Sequence, residues 1–196
     1  MHVLMTYLSV NGVDKSIVLI GMMGAGKSSA GHCLQRRTKL RLIDTDEIVA
    51  SNFGISIPEV FSSYGEEAFR AAESEVLRRL SATTATIIVT GGGIVLREEN
   101  VDHLKQLGRI VWLDANEETL FRRAIEAGNR PLLHTDNPKR AFSEMLRARR
   151  PIYAKIAQIR VDTSMLTDQE VALAILSKLK RVGRDRQPES SIAAEA

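Results

Sequence analysis

The segment from Gly21 to Ser28 carries residues of the types and spacing needed to bind a phosphate group. It reads GMMGAGKS and matches the pattern G-x-x-x-x-G-K-[ST]. Its glycines permit conformations in which successive backbone N–H groups turn toward an anion. Lys27 can reach the outer phosphates of a nucleotide, and the hydroxyl of Ser28 is placed for a phosphate-bound Mg²⁺. The pattern therefore predicts a nucleotide site, and a plain glycine-rich turn is the rarer alternative between a strand and a helix.

Asp44 and Asp46 follow the second predicted strand. Residues two apart in an extended chain point the same way, so both carboxylates could face the phosphates if the strand continues this far. An aspartate at the end of a strand is about as often the N-cap of the next helix. Both interpretations stay open for this pair.

Two further motifs carry weaker signals. The run Gly91, Gly92, Gly93 follows the third predicted strand, where it would let the backbone approach a ligand closely. Arg70 and Glu73 lie three residues apart in GEEAFRAAE, on one face of a predicted helix. Spacing alone favours an exposed ion pair, worth roughly a few tenths of a kcal/mol, over a functional role.

The composition turns basic from Arg122 onward. Glycine, asparagine and proline between two helical patterns, at about 125–138, predict a surface loop, and a loop of this length is often a mobile lid. The next helix carries Arg147, Arg149 and Arg150. Since charged runs on helices are usually solvated, we expect at most one or two of these arginines to bind a ligand.

Alternating strands and helices must position these residues. Short apolar runs predict five strands, at Ile17 to Ile20, Leu40 to Ile43, Thr86 to Val89, Arg109 to Leu113 and Ile159 to Val161. Helical patterns cover Lys27 to Arg37, Asp46 to Phe53, Ile57 to Leu80 with a break at Gly65, Arg97 to Leu107, Glu117 to Ala127, Pro138 to Ala157 and Thr167 to Arg181. The alternation predicts an α/β fold with three layers, in which a parallel sheet lies between two layers of helices. Ligands of such sheets bind at the carboxyl ends of the strands, where the motifs above lie.

Length and composition exclude several classes of protein. The 196 residues fit one domain at 16–181, with an N-terminal extension at 1–15 and a polar tail at 182–196 that we expect to be disordered. No apolar run approaches the roughly 18 residues needed to cross a bilayer, and the N-terminus lacks a secretory pattern, so we expect a cytoplasmic protein. A single cysteine, Cys33, excludes an internal disulfide. The net charge of +3 is spread along the chain, which favours small anionic ligands over nucleic acid.

Six motifs in order resemble the shikimate kinase family, within the nucleoside monophosphate kinase-like group of P-loop folds. The resemblance covers about Ile17 to Leu179. It depends on GMMGAGKS, DTD at 44–46, GEEAFRAAE at 65–73, GGG at 91–93, NRPLL at 129–133 and ARRPIY at 148–153. It implies a five-stranded parallel sheet, a lid segment, ATP with Mg²⁺, and transfer of the γ-phosphoryl group to the 3-hydroxyl of shikimate.

The resemblance also implies roles for the matching residues. ATP would be bound by Gly24, Ala25, Gly26, Lys27, Ser28 and Ser29, with Arg123 beside the adenine. Shikimate would be bound by Asp46, Arg70, Gly91, Gly92, Gly93 and Arg149, with Glu73 orienting Arg70. The catalytic residues would be Asp46, Lys27 and the lid arginine Arg130, and Mg²⁺ would be held by Ser28 and, through water, by Asp44.

Some points depart from the family's pattern or stay open. Ser29 stands where threonine is commoner, and Arg150 beside Arg149 leaves two candidates for the substrate carboxylate; the offset from Pro151 and Tyr153 favours Arg149. The alternatives are a kinase of another polyol acid such as gluconate, and a nucleotide-binding module without catalysis. We expect a monomer that acts on small molecules without nucleic acid or membrane partners.

Overall fold

Five parallel strands form the centre of the computed structural model, which describes residues 15–81, 83–128 and 130–184. The strands are β1 (Ser16–Ile20), β2 (Arg41–Asp44), β3 (Thr86–Val89), β4 (Gly108–Asp114) and β5 (Ile159–Asp162). The helices are α1 (Lys27–Thr38), α2 (Thr45–Phe53), α3 (Ile57–Arg79), α4 (Glu98–Leu107), α5 (Glu117–Glu126), α6 (Pro138–Ile156) and α7 (Asp168–Arg184). None of the helices in these segments is long and apolar enough to span a bilayer.

The strand order β2-β3-β1-β4-β5 places β1 at the centre of the sheet. Leu19 of β1 lies in register with Val89 of β3 on one side and Val111 of β4 on the other. All five residues of β1 are buried, as expected for a strand covered on both faces. The chain leaves β1 toward β2 and β3 and later returns to β4 on the opposite side, so a crevice opens at the carboxyl ends of these strands.

A second, smaller hydrophobic cluster joins α2 to α3. It contains Val49, Val60, Phe69 and Val76 and lies apart from the main core. Ser56 and Glu59 form a reciprocal capping box that fixes the start of α3. Gly65 interrupts α3 with a non-helical conformation, φ 80° and ψ 171°. The cluster holds the second half of α3 at the side of the crevice.

The structure confirms the predicted three-layer α/β fold with a parallel five-stranded sheet. The ends of the predicted elements agree with the structure to within one residue, except that α7 continues to Arg184, three residues beyond its predicted end. Two 3₁₀ turns, Ile94–Leu96 and Pro131–Leu133, have no counterpart in the prediction. The predicted N-terminal extension up to residue 14 and the tail from residue 185 lie outside the described residues.

Candidate active site

The phosphate-binding loop connects β1 to α1. Gly24 and Gly26 adopt left-handed conformations, with φ of 81° and 83°. A Cβ atom on Gly24 would lie 2.1 Å from the carbonyl oxygen of Leu120, so glycine is required there by space as well as by conformation. The ammonium group of Lys27 donates to the carbonyl oxygens of Gly21 and Met22 at 2.9 and 3.0 Å. The lysine therefore lies across its own loop.

A cavity of about 380 Å³ opens in front of this loop. It is lined by Met23, Gly24, Gly26, Lys27, Ser28, Ser29, Asp44, Asp46, Val89, Thr90, Gly91, Gly92, Arg123, Glu126, Ala127, Arg130 and Asp168. Ala25 is fully buried behind the loop, and its N–H donates to Met22 at 3.2 Å. We call this space the nucleotide cavity, because its wall is the phosphate-binding loop.

Asp44 has both of the roles that the sequence left open: it caps a helix and it faces the phosphate-binding loop. Its Oδ1 accepts a hydrogen bond from the N–H of Asp46 at 3.0 Å, which makes Asp44 the N-cap of α2. Its Oδ2 accepts a hydrogen bond from the hydroxyl of Ser28 at 3.3 Å. A hydroxyl and a carboxylate oxygen side by side fit Mg²⁺, which takes one or two protein ligands and completes its shell with phosphate and water. Among the residues that the structure describes, no group of three or more His, Cys, Asp or Glu side chains is placed to hold a metal ion. Phosphate and water would therefore have to complete the shell.

Asp46 lies in the first turn of α2, where the helical pattern predicted it, so the strand does not continue far enough for the two-residue spacing to apply. The strand ends at Asp44 because its carboxylate caps the helix that follows. Both aspartates nevertheless line the nucleotide cavity. Within the described part of the chain, Oδ1 of Asp46 is buried without a hydrogen-bond partner. A buried carboxylate oxygen is therefore available to accept a proton or a hydrogen bond from a ligand.

A second cavity, of about 80 Å³, adjoins the first. It is lined by Met23, Asp46, Ile57, Phe61, Phe69, Arg70, Gly91, Gly92, Gly93, Arg130, Pro131, Leu132 and Arg149. We call it the acceptor cavity. Asp46 and Arg130 belong to the walls of both cavities. The acceptor cavity thus offers three arginines, the apolar rings of Phe61 and Phe69, and a carboxylate that it shares with the nucleotide cavity.

Arg70 and Glu73 form a buried ion pair, so the expectation of an exposed pair was wrong. Arg70 Nη1 donates to Glu73 Oε2 at 2.5 Å, and the side chains are 8% and 0% exposed. Glu66 Oε1 accepts from Nε and Nη2 of Arg70 at 3.2 and 2.9 Å. The spacing could not reveal this burial, because it depends on how α3 packs beside the glycine run. Two carboxylates hold the guanidinium in place at the wall of the acceptor cavity.

Arg149 and Arg150 point to different parts of the structure. Arg149 is buried and lines the acceptor cavity. Arg150 donates to Asp114 Oδ1 at 3.0 Å and to the carbonyl oxygen of Ala115 at 2.7 Å, at the end of β4. Arg150 therefore fastens α6 to the sheet, while Arg149 faces the space that Arg70 also lines.

The glycine run at 91–93 is the point at which these groups meet. A Cβ atom on Gly91 would lie 2.4 Å from Glu73 Oε1 and 2.7 Å from Asp46 Oδ1. A Cβ atom on Gly93 would lie 2.4 to 2.5 Å from the guanidinium atoms of Arg70. The run is therefore required for close packing of charged side chains against the backbone.

The basic loop between α5 and α6 is only partly a surface loop. Arg130 is exposed and lines both cavities. Leu133, three residues later, is 4% exposed and belongs to the main hydrophobic core, contrary to the prediction for the whole segment. Its apolar side chain anchors the loop beyond the arginine. Arg123, at the other end, donates to the hydroxyl and carbonyl oxygens of Thr163 at 3.1 and 3.0 Å.

Comparison with known proteins agrees with this geometry. The family model for shikimate kinase matches residues 23–180. The shikimate kinase of Thermodesulfovibrio yellowstonii is 40% identical over 172 residues, covering 88% of this chain and 99% of that protein. The shikimate kinase of Symbiobacterium thermophilum is 41% identical over 170 residues, covering 86% and 98% of the two chains. The chain belongs to the shikimate kinase family.

Solved structures support the family assignment. Shikimate kinase from Acinetobacter baumannii in complex with shikimate superposes with a TM-score of 0.82 at 31% identity, over 88% of this chain and 96% of that one. A gluconokinase from Sinorhizobium meliloti reaches a TM-score of 0.55 at 20% identity, covering 87% and 94% of the chains, and shares the fold alone. As a shikimate kinase family member, the chain is an ATP-dependent phosphotransferase with an alcohol group as acceptor.

The charged groups of this kinase perturb one another. Burial lowers the pKa of Lys27 to about 8, and the nearby Asp46 opposes this effect. Burial and the Asp44 carboxylate raise the pKa of Asp46. Burial raises the pKa of Glu73 to about 7, against the lowering effect of Arg70. Burial lowers the pKa of Arg149. A site that destabilises isolated charges in this way favours the binding of a ligand with complementary charge.

Sequence reasoning missed the apolar and neutral parts of the walls. Ile57, Phe61, Phe69 and Leu132 line the acceptor cavity, but an apolar residue in a helix or turn looks like an ordinary core residue. Thr90 lines the nucleotide cavity. Its position between β3 and the glycine run, at the carboxyl end of a strand, was a signal that could have identified it.

The pKa of Glu73 gives a prediction about stability. Its pKa of about 7 lies above the ordinary value of 4.5, so the folded protein binds the proton more tightly than the unfolded chain. The stability that this proton contributes is therefore lost as the pH rises from about 4.5 to 7. Relative to Glu73→Gln, which cannot titrate, wild type should lose about 1–3 kcal/mol of unfolding free energy across this window. Urea unfolding of both proteins at several pH values measures the difference.

The control for the Glu73 measurement is Glu75→Gln, which removes a charge from the exposed side of the same helix. A stability difference that is flat between pH 4.5 and 7 would contradict the prediction. A difference that rises with pH would mean that pairing with Arg70 outweighs burial.

Proposed function

We propose that this protein transfers the γ-phosphoryl group of ATP to the 3-hydroxyl of shikimate, with ATP in the nucleotide cavity and shikimate in the acceptor cavity. The observation that carries the proposal is the position of Asp46. It lines both cavities, and its buried Oδ1 has no hydrogen-bond partner in the described residues. A carboxylate at this junction can face the hydroxyl that attacks the phosphate.

In the proposed complex the phosphates occupy the loop that begins α1. The N–H groups of Gly24 and Gly26 and the side chains of Lys27, Ser28 and Ser29 would surround them, and Ala25, whose N–H is bonded to the carbonyl of Met22, would support the loop from behind. The N-terminus of α1 adds the positive end of its dipole. Lys27, now bonded to carbonyl oxygens of its own loop, would turn to the β- and γ-phosphates. Arg123, held by Thr163 at the far side of the cavity, would lie beside the adenine.

The Ser28 hydroxyl and the Asp44 carboxylate would hold Mg²⁺, with Asp44 acting through water. When bound, the ion neutralises phosphate charge and orients the oxygens for transfer. The 3.3 Å contact between the two side chains supports this pairing.

Shikimate would bind with its carboxylate against Arg70 and Arg149. Two guanidinium groups can each present parallel donors to a carboxylate. The backbone of 91–93 would lie along the substrate, and Phe61 and Phe69 would pack against its ring. Glu73 would keep Arg70 in place, since the pair is buried at 2.5 Å.

In the chemical step the 3-hydroxyl oxygen bonds to the γ-phosphorus while the bond from that phosphorus to the β,γ-bridging oxygen breaks. The hydroxyl proton passes to Asp46, and ADP leaves with the bridging oxygen. Phosphoryl transfer has a loose transition state, so Asp46 mainly orients the hydroxyl and takes its proton late. Lys27 and Arg130 would stabilise the charge on the transferring group.

An assay of ADP release with ATP, Mg²⁺ and a panel of shikimate, gluconate and nucleoside monophosphates tests this function directly. We expect turnover with shikimate alone. Turnover with gluconate instead would indicate a kinase of another polyol acid. No turnover with any acceptor would indicate a nucleotide-binding module without catalysis. Either result would overturn the proposal.

Replacing the proposed carboxylate clamp should separate the two substrates. Arg149→Lys keeps the charge but loses the parallel donors, so the KM for shikimate should rise at least about tenfold while the KM for ATP changes little. Arg150→Lys is the matched control, because Arg150 contacts Asp114 outside both cavities. If Arg150→Lys alone raises the KM for shikimate, the assignment is reversed.

The two aspartates should respond differently to loss of charge. Asp46→Asn keeps the shape but not the basicity, so kcat should fall by about 100-fold or more with little change in ATP affinity. Asp44→Asn should raise the Mg²⁺ concentration that gives half-maximal rate. Steady-state kinetics and Mg²⁺ titrations of both variants measure these effects. An unchanged kcat in the first and an unmoved titration in the second would refute the division of roles.

Three properties remain predictions from the sequence. The segment 125–138 is proposed to close as a lid over ATP, bringing Arg130 to the phosphates and excluding water. The chain is expected to be a monomer and to reside in the cytoplasm. Hydrogen exchange with an ATP analogue and shikimate would detect lid closure as protection of this segment.

A further inference from the structure

Tyr153 of α6 is a buried side chain that the proposed chemistry does not use. It is 1% exposed, and its ring lies 6.1 Å from that of Trp112. Its hydroxyl donates a hydrogen bond to the carbonyl oxygen of Gly92. The guanidinium of Arg149 lies beside the same glycine, with Nη1 3.7 Å from the position of a Cβ atom on Gly92, and its charge acts on the Tyr153 phenol. One phenol thus holds the glycine run beside an arginine of the acceptor cavity.

The first contact fixes a peptide plane in the wall of the acceptor cavity. The carbonyl of Gly92 and the N–H of Gly93 belong to one planar peptide unit. A hydrogen bond that holds the carbonyl oxygen therefore sets the direction of the Gly93 N–H. On its other side Gly92 approaches the phosphate-binding loop, where a Cβ atom would lie 3.3 Å from the carbonyl oxygen of Gly21.

The second contact restricts Arg149. An arginine side chain has many rotamers, and ordering it costs conformational entropy. The backbone of Gly92, held by the Tyr153 hydroxyl, lies beside the guanidinium and limits this freedom before a ligand arrives. Burial raises the pKa of Tyr153, so the hydroxyl keeps the proton that it donates to Gly92.

We propose that Tyr153 is a positioning residue for the acceptor's carboxylate, because its hydroxyl holds the Gly92 carbonyl beside Arg149. The inference rests on the proposed function, since it assumes that a carboxylate binds at Arg149. Tyr153 acts through these two groups and does not contact the reacting atoms.

Tyr153→Phe removes the hydroxyl and keeps the ring that packs against Trp112. The KM for shikimate should rise about tenfold, because the buried carbonyl of Gly92 loses its partner beside Arg149, while the KM for ATP should stay within about twofold. Tyr64→Phe is the matched control. It removes the same group from a tyrosine that is 58% exposed and packs against Phe53 at 5.1 Å, so neither KM should change.

Combining Tyr153→Phe with Arg149→Lys gives the deciding measurement. If the hydroxyl acts through Arg149, the double variant should have nearly the same KM for shikimate as Arg149→Lys alone. Multiplicative effects, equal increases in both KM values, or a lower Tm with unchanged KM would each overturn the inference. If Arg149→Lys alone leaves the KM for shikimate unchanged, the proposed function fails at this residue. If Arg149→Lys raises it and Tyr153→Phe does not, only the inference fails.

Discussion

The space available at Gly91 and Gly93 is the constraint on which the site depends. Atoms of Asp46, Glu73 and Arg70 lie where a Cβ atom on one of these glycines would be. Charged side chains from α2 and α3 can therefore reach the carboxyl end of β3 at the distance of backbone contact. A larger residue in the run would push the carboxylates and the guanidinium away from the junction of the two cavities.

The close approach of these side chains to the glycine run brings their charges together where little water can solvate them. The buried Arg70–Glu73 pair satisfies part of this charge, and Glu66 satisfies more of it from the exposed side. Oδ1 of Asp46 and Oε1 of Glu73 remain without partners among the described residues. Such groups are costly in a folded protein, and functional sites are where this cost is commonly found. The unpaired oxygens can accept hydrogen bonds from the hydroxyl groups of a ligand, and the arginines can bind its negative charge.

The fold followed from the sequence because its signals are local. Apolar runs such as the one ending at Ile20 depend on neighbouring residues, and they gave the element ends to within a residue, except at the end of α7. The burial of Arg70 and Glu73 was not predictable, since it results from packing against residues 91–93, about twenty positions away. Leu133 shows the same limit in a loop, where one apolar side chain reaches the core.

The central claim is that Gly91 lets Asp46 stand at the junction of the two cavities, and Gly91→Ala tests it most directly. The three atoms nearest to the added methyl would belong to the far ends of the Glu73 and Asp46 side chains and not to backbone, so the protein should fold and bind ATP nearly as wild type does. Displacement of Asp46 should lower kcat/KM for shikimate by about 100-fold or more. Steady-state kinetics together with calorimetric ATP binding and the Tm give the result. Turnover of shikimate within a few-fold of wild type, in a folded variant, would contradict the account.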